Sequence, residues 1–162
     1  MRRLRVFATM AGLLIAAPLS IAAQVTIPFT VSATVVRGCA IAATNMNFGT
    51  YPALPGAPTL STTSTISVTC ELGDTYTIGL DDGINNSGTQ RRMARPAPIA
   101  YLNYGLFRDA AHTLIWRDTG PTRVSGTGSG APQVYTVFGQ LPGAQVVPLG
   151  AYIDTVTVTV RN

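Results

Sequence analysis

Lysine is missing from this chain, histidine and tryptophan occur once each, and cysteine occurs twice. Charged residues fill only 11% of the 162 positions, against 46% hydrophobic. So sparse a charge content excludes an intrinsically disordered chain, which stays solvated by the opposite balance. All 11 basic residues are therefore Arg, and Arg2, Arg3 and Arg5 crowd the first five positions. Past that segment eight Arg face seven acidic residues, so the formal net charge drops from +4 to +1. The basic balance argues little for nucleic-acid binding, and none is expected. One His and two separated Cys do not assemble a four-ligand zinc site, and no metal or other cofactor is expected. The length leaves room for a single folded domain.

The leading segment reads as an address. Residues 1–5 are basic, residues 6–19 form an uncharged apolar run, and Ser20, Ile21 and Ala22 precede a cut after Ala22 or Ala23. This three-part pattern is that of a secretory signal peptide, and the run is too short for a membrane-spanning helix, which needs about 20 residues. Residues 1–23 are assigned to it. The mature chain then begins at Gln24, is exported, and carries no further integral membrane segment. Export changes the meaning of Cys39 and Cys70: in an oxidising compartment an even count reads as a disulfide. Such a bridge contributes about 3.5 kcal/mol in the chain-entropy account. The alternative is two buried free thiols.

Beyond the leader the hydrophobic pattern has period two rather than 3.6, and Gly, Pro, Asn and Asp punctuate it. Candidate strands cover residues 25–36, 39–43, 65–72, 75–80, 99–108, 113–117, 133–140 and 151–161. An all-β, antiparallel β-sandwich follows. Asp82-Gly83 and residues 86–88 supply turn chemistry, residues 52–58 a Pro-rich crossing, and residues 126–130 a flexible glycine-rich loop.

The two terminal strands carry most of the information. In the last, Ile153, Val156, Val158 and Val160 supply the apolar face, which requires a change of phase near Asp154 that a bulge absorbs. In the first, Val25, Ile27, Phe29, Val31, Ala33 and Val35 alternate with polar residues and Pro28. Burying five such side chains is worth on the order of 10 kcal/mol, comparable to the net stability of a domain. That strand must pair either with its own sandwich or with an incomplete one on a neighbouring molecule.

Several stretches, in order, resemble one family. They are "VTIPFTVSATVV" running into Gly38-Cys39, "NFGTY" at residues 47–51, "ISVTC" at 66–70, "LDDGINN" at 80–86 and "RRMAR" at 91–95. "YLNYGLFRD" at 101–109, "IWRDTG" at 115–120 and "LGAYIDTVTVTV" at 149–160 complete the set. Together they resemble the spore coat protein U domain, found in the major and minor subunits of archaic chaperone–usher pili. The resemblance implies an incomplete immunoglobulin-like antiparallel sandwich, residues 37–162, completed by donor-strand complementation. It implies that residues 24–36 are the donor segment, with Val25, Ile27, Phe29, Val31 and Ala33 entering a neighbour's pockets, and that Cys39 and Cys70 are the family's disulfide. Ile153, Val156, Val158 and Val160 are expected in the acceptor-groove strand. The implied partners are identical or related pilin subunits in a head-to-tail polymer, a periplasmic chaperone and an outer-membrane usher. The implied location is an extracellular fimbrium reached through the periplasm, and the implied role is adhesion and biofilm formation. Two sequence features depart from the pattern. Pro28 lacks a ladder N–H but sits at an outward position, and Arg117 stands in "IWRDTG" where many relatives have Gly.

Candidate chemistry is thin. No Ser beside His112 fits a nucleophile elbow, and Asp109 to Thr113 reads as a turn. Gly126, Gly128 and Gly130 lack phosphate-loop spacing. Asp81 and Asp82 lack the calcium-loop pattern and read as a turn beside Arg91, Arg92 and Arg95, which are expected on a solvated face. Trp116, Tyr101, Tyr104, Tyr135 and Tyr152 fall in strand patterns and are expected to pack. The chain is read as a non-enzymatic structural subunit. The alternatives are a monomeric secreted β-sandwich binding module and a spore or cell coat protein; a small secreted enzyme would need a polar cleft that these residues do not supply.

Overall fold

The computed structural model describes residues 30, 32 and 38–162. The leader at 1–23 and the donor positions Val25, Ile27, Phe29, Val31 and Ala33 lie outside the described residues. Eight strands occur among the described residues: β1 (Cys39–Ala43), β2 (Leu60–Cys70), β3 (Thr75–Leu80), β4 (Arg91–Pro96), β5 (Ile99–Phe107), β6 (Val124–Thr127), β7 (Gln133–Leu141) and β8 (Val158–Arg161). They form a five-stranded sheet, β1-β2-β7-β5-β4, and a three-stranded sheet, β6-β3-β8. Every ladder is antiparallel.

Period-two patterning explains how these strands bury one face. Ile66, Val68 and Cys70 of β2, Leu102, Tyr104 and Leu106 of β5, and Val137 and Leu141 of β7 point inward from the large sheet. They meet Tyr76, Ile78 and Leu80 of β3 and the buried Trp116 in one core. Trp116 satisfies its indole by donating Nε1–H to the Ile78 carbonyl at 3.0 Å. Cys39 lies directly opposite Cys70 in the β1–β2 register, and the two form a disulfide. That settles the cysteine pair in favour of the bridge.

Several sequence expectations are corrected. β2 begins at Leu60 rather than at residue 65, because Ser61 to Ser64 pair in register with residues 137–140 of β7 despite their polar composition. Residues 113–117 are not a strand: the Asp109 carboxylate accepts N–H groups from Thr113 and Leu114, closing a turn, and Ile115 keeps a single bridge to Phe107. β4 and β6 were not expected, the first because its sequence is basic and the second because it is short and contains glycine. Arg91 is not on a solvated face but 2% exposed.

The C-terminal segment is also corrected. Its ladder is confined to β8, with Ile153 adding one bridge to Ala94. Val158 opposite Leu80 and Val160 opposite Ile78 face the core. The alternation continues unbroken back through Val156 and Asp154 to Tyr152, all half-buried, so no bulge intervenes. Asp154 therefore faces inward, and Ile153, 69% exposed, shares the outer face with Ala94 and Tyr101. An inward carboxylate is tolerable because it finds hydrogen-bond donors there.

Candidate functional site

A groove of about 950 Å³ opens along one side of the sandwich. Its floor is the core itself: Ile66, Leu80, Leu102, Leu106, Val137 and Leu141 line it, each still buried. One wall is residues 43–51 and Ala53, which continue from β1; the other is residues 147–156 and Val158, which lead into β8. β8 is the last strand of its sheet, so its outer edge carries no neighbour among the described residues. A groove floored by core side chains between two such segments has the chemistry to accept an added β-strand.

Local chemistry explains how each wall stands. In the first, Met46, Phe48 and Tyr51 turn inward and pack on the core, with the Phe48 ring 6.2 Å from that of Tyr104. The Tyr51 hydroxyl accepts the Gln145 N–H at 2.7 Å. The Gln145 side chain in turn engages the Asn103 N–H at 2.8 Å and carbonyl at 3.0 Å, taking the place of a strand beside β5. In the second wall, Asp154 accepts the Tyr104 hydroxyl at 2.6 Å and the Asn85 side-chain amide at 3.0 Å. Burial, then the hydrogen bond to Asp154, raises the pKa of the Tyr104 phenol, so the hydroxyl is the donor at any ordinary pH. Gly83 sits against Asp154, where a Cβ would fall 2.0 Å from Oδ2, and its φ of 81° favours glycine as well.

Of the residues expected in the acceptor strand, Val156 and Val158 line the groove and pack on the core. Ile153 reaches only the rim, with its side chain outward, and Val160 lies beyond the groove beside Ile78. Tyr152, expected to pack, does so from the same inward face. The inward positions missed by the sequence reading are Asp154, for which strict alternation from residue 152 onward was the available signal, and Met46, Phe48 and Tyr51 opposite. His112 stacks edge-on against Phe107 at 5.3 Å, in the turn closed by Asp109, away from the groove. Among the described residues no cluster of His, Cys, Asp or Glu is placed to hold a metal. None of the described helices is long and apolar enough to cross a membrane.

The family model of the Spore Coat Protein U domain matches residues 25–159. The chain belongs to the Spore Coat Protein U domain family. Protein U of Myxococcus xanthus is 34% identical to it over 125 residues, covering 71% of this chain and 70% of that protein. A solved relative occurs in the crystal structure of the CsuC-CsuE chaperone-tip adhesion subunit pre-assembly complex from archaic chaperone-usher Csu pili of Acinetobacter baumannii. The two chains are 28% identical with a TM-score of 0.56 over 80% of this one, which spans 40% of the length of that chain. The Spore Coat Protein U fold here is accordingly the all-β, immunoglobulin-like fold of archaic chaperone–usher pilus subunits. These relatives are structural subunits, not enzymes.

Proposed function

We propose that this chain is a structural subunit of a chaperone–usher surface pilus and polymerises by donor-strand exchange. The observation that carries the reading is the groove of about 950 Å³, floored by core side chains, one wall of which leads into β8, whose outer edge carries no neighbour among the described residues. In this reading Val25, Ile27, Phe29, Val31 and Ala33 of residues 24–36 fill the groove of the next subunit, and a periplasmic chaperone covers it beforehand. Five such side chains supply on the order of 10 kcal/mol, enough to hold a non-covalent fibre together. An outer-membrane usher releases the growing head-to-tail polymer to the cell surface, where it serves attachment and biofilm formation. A heterologous interface of this kind does not close, so the product is a fibre rather than a ring.

The test is to express residues 24–162 and residues 37–162, each alone and with the chaperone. The longer chain is expected to form long oligomers that survive mild denaturant. The shorter one is expected to stay soluble only with the chaperone and never to extend a fibre. A stable monomer from residues 24–162 would overturn the reading in favour of a self-contained binding module.

A further inference from the structure

Arg91 is the one charged side chain buried in the core among the described residues, at 2% exposure. Asp82 is no close partner for it, since its carboxylate lies 3.9 Å from Nη2, beyond hydrogen-bond reach. What the guanidinium holds instead is backbone. Nε donates to the Asp81 carbonyl at 2.9 Å, and the two N–H groups of Nη2 are shared among the carbonyls of Leu80 at 3.0 Å, Asp81 at 2.6 Å and Trp116 at 2.8 Å. A planar fork with fixed donor directions fixes the position of those carbonyls as an ammonium would not.

The backbone so held is the turn at residues 80–85, and that turn grips the groove wall. Asp81 N–H donates to the Thr157 carbonyl at 3.1 Å, while the Asp81 carboxylate accepts the Thr157 N–H at 2.9 Å. Ile84 N–H donates to the Thr155 carbonyl at 3.1 Å, and Asn85 donates to Asp154 from both its backbone and its side chain. Together with the Tyr104 hydroxyl bond to Asp154 and the bridge at Ile153, these bonds tie residues 154–157 to the rest of the sandwich upstream of β8. Asp81 is thus held at its carbonyl by Arg91 and holds Thr157 with its other two groups. Core stability alone does not call for an arginine here, because buried ions can often be replaced by apolar side chains of similar volume without loss.

We infer that Arg91 is a positioning residue for the groove: by fixing the carbonyls of Leu80 and Asp81 it sets the turn that holds residues 154–157, and so sets how firmly the groove retains an inserted strand. The last clause rests on the strand-accepting function proposed above; the positioning of the wall does not.

The experiment uses residues 24–162 carrying Arg91→Met, Arg91→Lys, Asp81→Ala or the Arg91→Met/Asp81→Ala pair. Amide exchange is followed at Ile84, at residues 154–157 and in β2, alongside the rate at which subunits leave preformed oligomers in denaturant. Arg91→Met and Asp81→Ala are each expected to speed exchange at Ile84 and Thr157, whose N–H groups make the turn-to-wall bonds, by about tenfold or more while leaving β2 unchanged, and to speed subunit release. Arg91→Lys keeps the charge without the fork and is expected to behave like Arg91→Met. Because both act through one chain of bonds, the pair is expected to exceed the larger single effect only slightly. Exchange that rises equally in β2, or single effects that multiply in the pair, would overturn the inference. Should Arg91→Met not fold, Arg91→Lys and Asp81→Ala decide it by the same criterion. Absence of oligomers from the unsubstituted chain removes the strand-retaining role, while exchange at residues 154–157 still decides whether Arg91 positions the wall.

Discussion

The Tyr104 hydroxyl donates a 2.6 Å hydrogen bond to Asp154, joining β5 to the groove wall across 50 positions of sequence. Tyr104 is 5% exposed and Asp154 half-buried, so the bond is partly shielded from water, and deleting the hydroxyl leaves the carboxylate short of a donor. Tyr104→Phe is expected to cost about 1.5–3 kcal/mol, the range for hydrogen bonds to a charged group. The control is Tyr152→Phe, whose hydroxyl donates to the Pro148 carbonyl at an exposed position and is expected to cost about 1 kcal/mol or less. Urea unfolding of both variants measures the difference, and equal costs would show that the Tyr104–Asp154 bond is no stronger than a surface contact.

What the sequence made legible is the regular part of the fold, and physics explains the boundary. β3, β5 and β7 fall within a residue or so of expectation because each shows one apolar face at period two, and β1 does so as a short apolar run beginning at Cys39. The disulfide was legible from cysteine count once export was inferred, and the register placed its two partners opposite one another. β4 was illegible because a charged residue ordinarily marks a solvated position, whereas Arg91 is stabilised inside by backbone carbonyls that belong to residues distant in sequence. Asp154 misled for the same reason. Taken alone, an acidic residue inside a Val-Thr alternation looks like a break in phase; with Tyr104 and Asn85 in place it is an inward residue whose needs are met. The first wall was missed because residues 44–53 belong to no ladder, and Met46 and Phe48 show their packing only against the core.

Gly128 offers a prediction of a different kind. It was expected in a flexible loop, but it is buried against the turn between β2 and β3: its N–H donates to the Asp74 carbonyl at 2.7 Å, and its carbonyl accepts the Gly73 N–H at 2.9 Å. A Cβ on Gly128 would fall 1.9 Å from the Glu71 carbonyl oxygen, a backbone atom that cannot rotate away. Gly128→Ala is therefore expected to cost about 1–3 kcal/mol, as overpacking does elsewhere. Gly38→Ala, where an added Cβ meets nothing within 4 Å, is expected to be neutral. Thermal melts of the two variants compare them directly, and a neutral Gly128→Ala would mean that the turn shifts freely to accept the methyl.

The two limbs of the stability–pH profile belong to different residues. On the acid side, the bidentate hydrogen bond from Arg161, assisted by Arg123, holds the Asp118 carboxyl below the usual carboxylate range. A carboxylate whose pKa is depressed by folding contributes stability that is complete above its unfolded pKa, near 4, and fades as pH falls through the lower folded value. Asp118→Asn is expected to lower the unfolding midpoint at pH 7, with the deficit shrinking towards pH 3. On the alkaline side, burial and then the hydrogen bond with Tyr135 push the Tyr76 phenol up to about 12. A phenol whose pKa is raised by folding contributes stability that is complete below its unfolded value, near 10, and is lost as pH rises through the folded value. Stability is therefore expected to decline from about pH 10 towards pH 12 in the native chain, and Tyr76→Phe is expected to lessen that decline, leaving the part that the likewise raised Tyr104 phenol contributes. Denaturant midpoints taken across the range test both limbs, and an Asp118→Asn deficit that persists undiminished at pH 3 would show that the Arg161 contact does not set the acid limb.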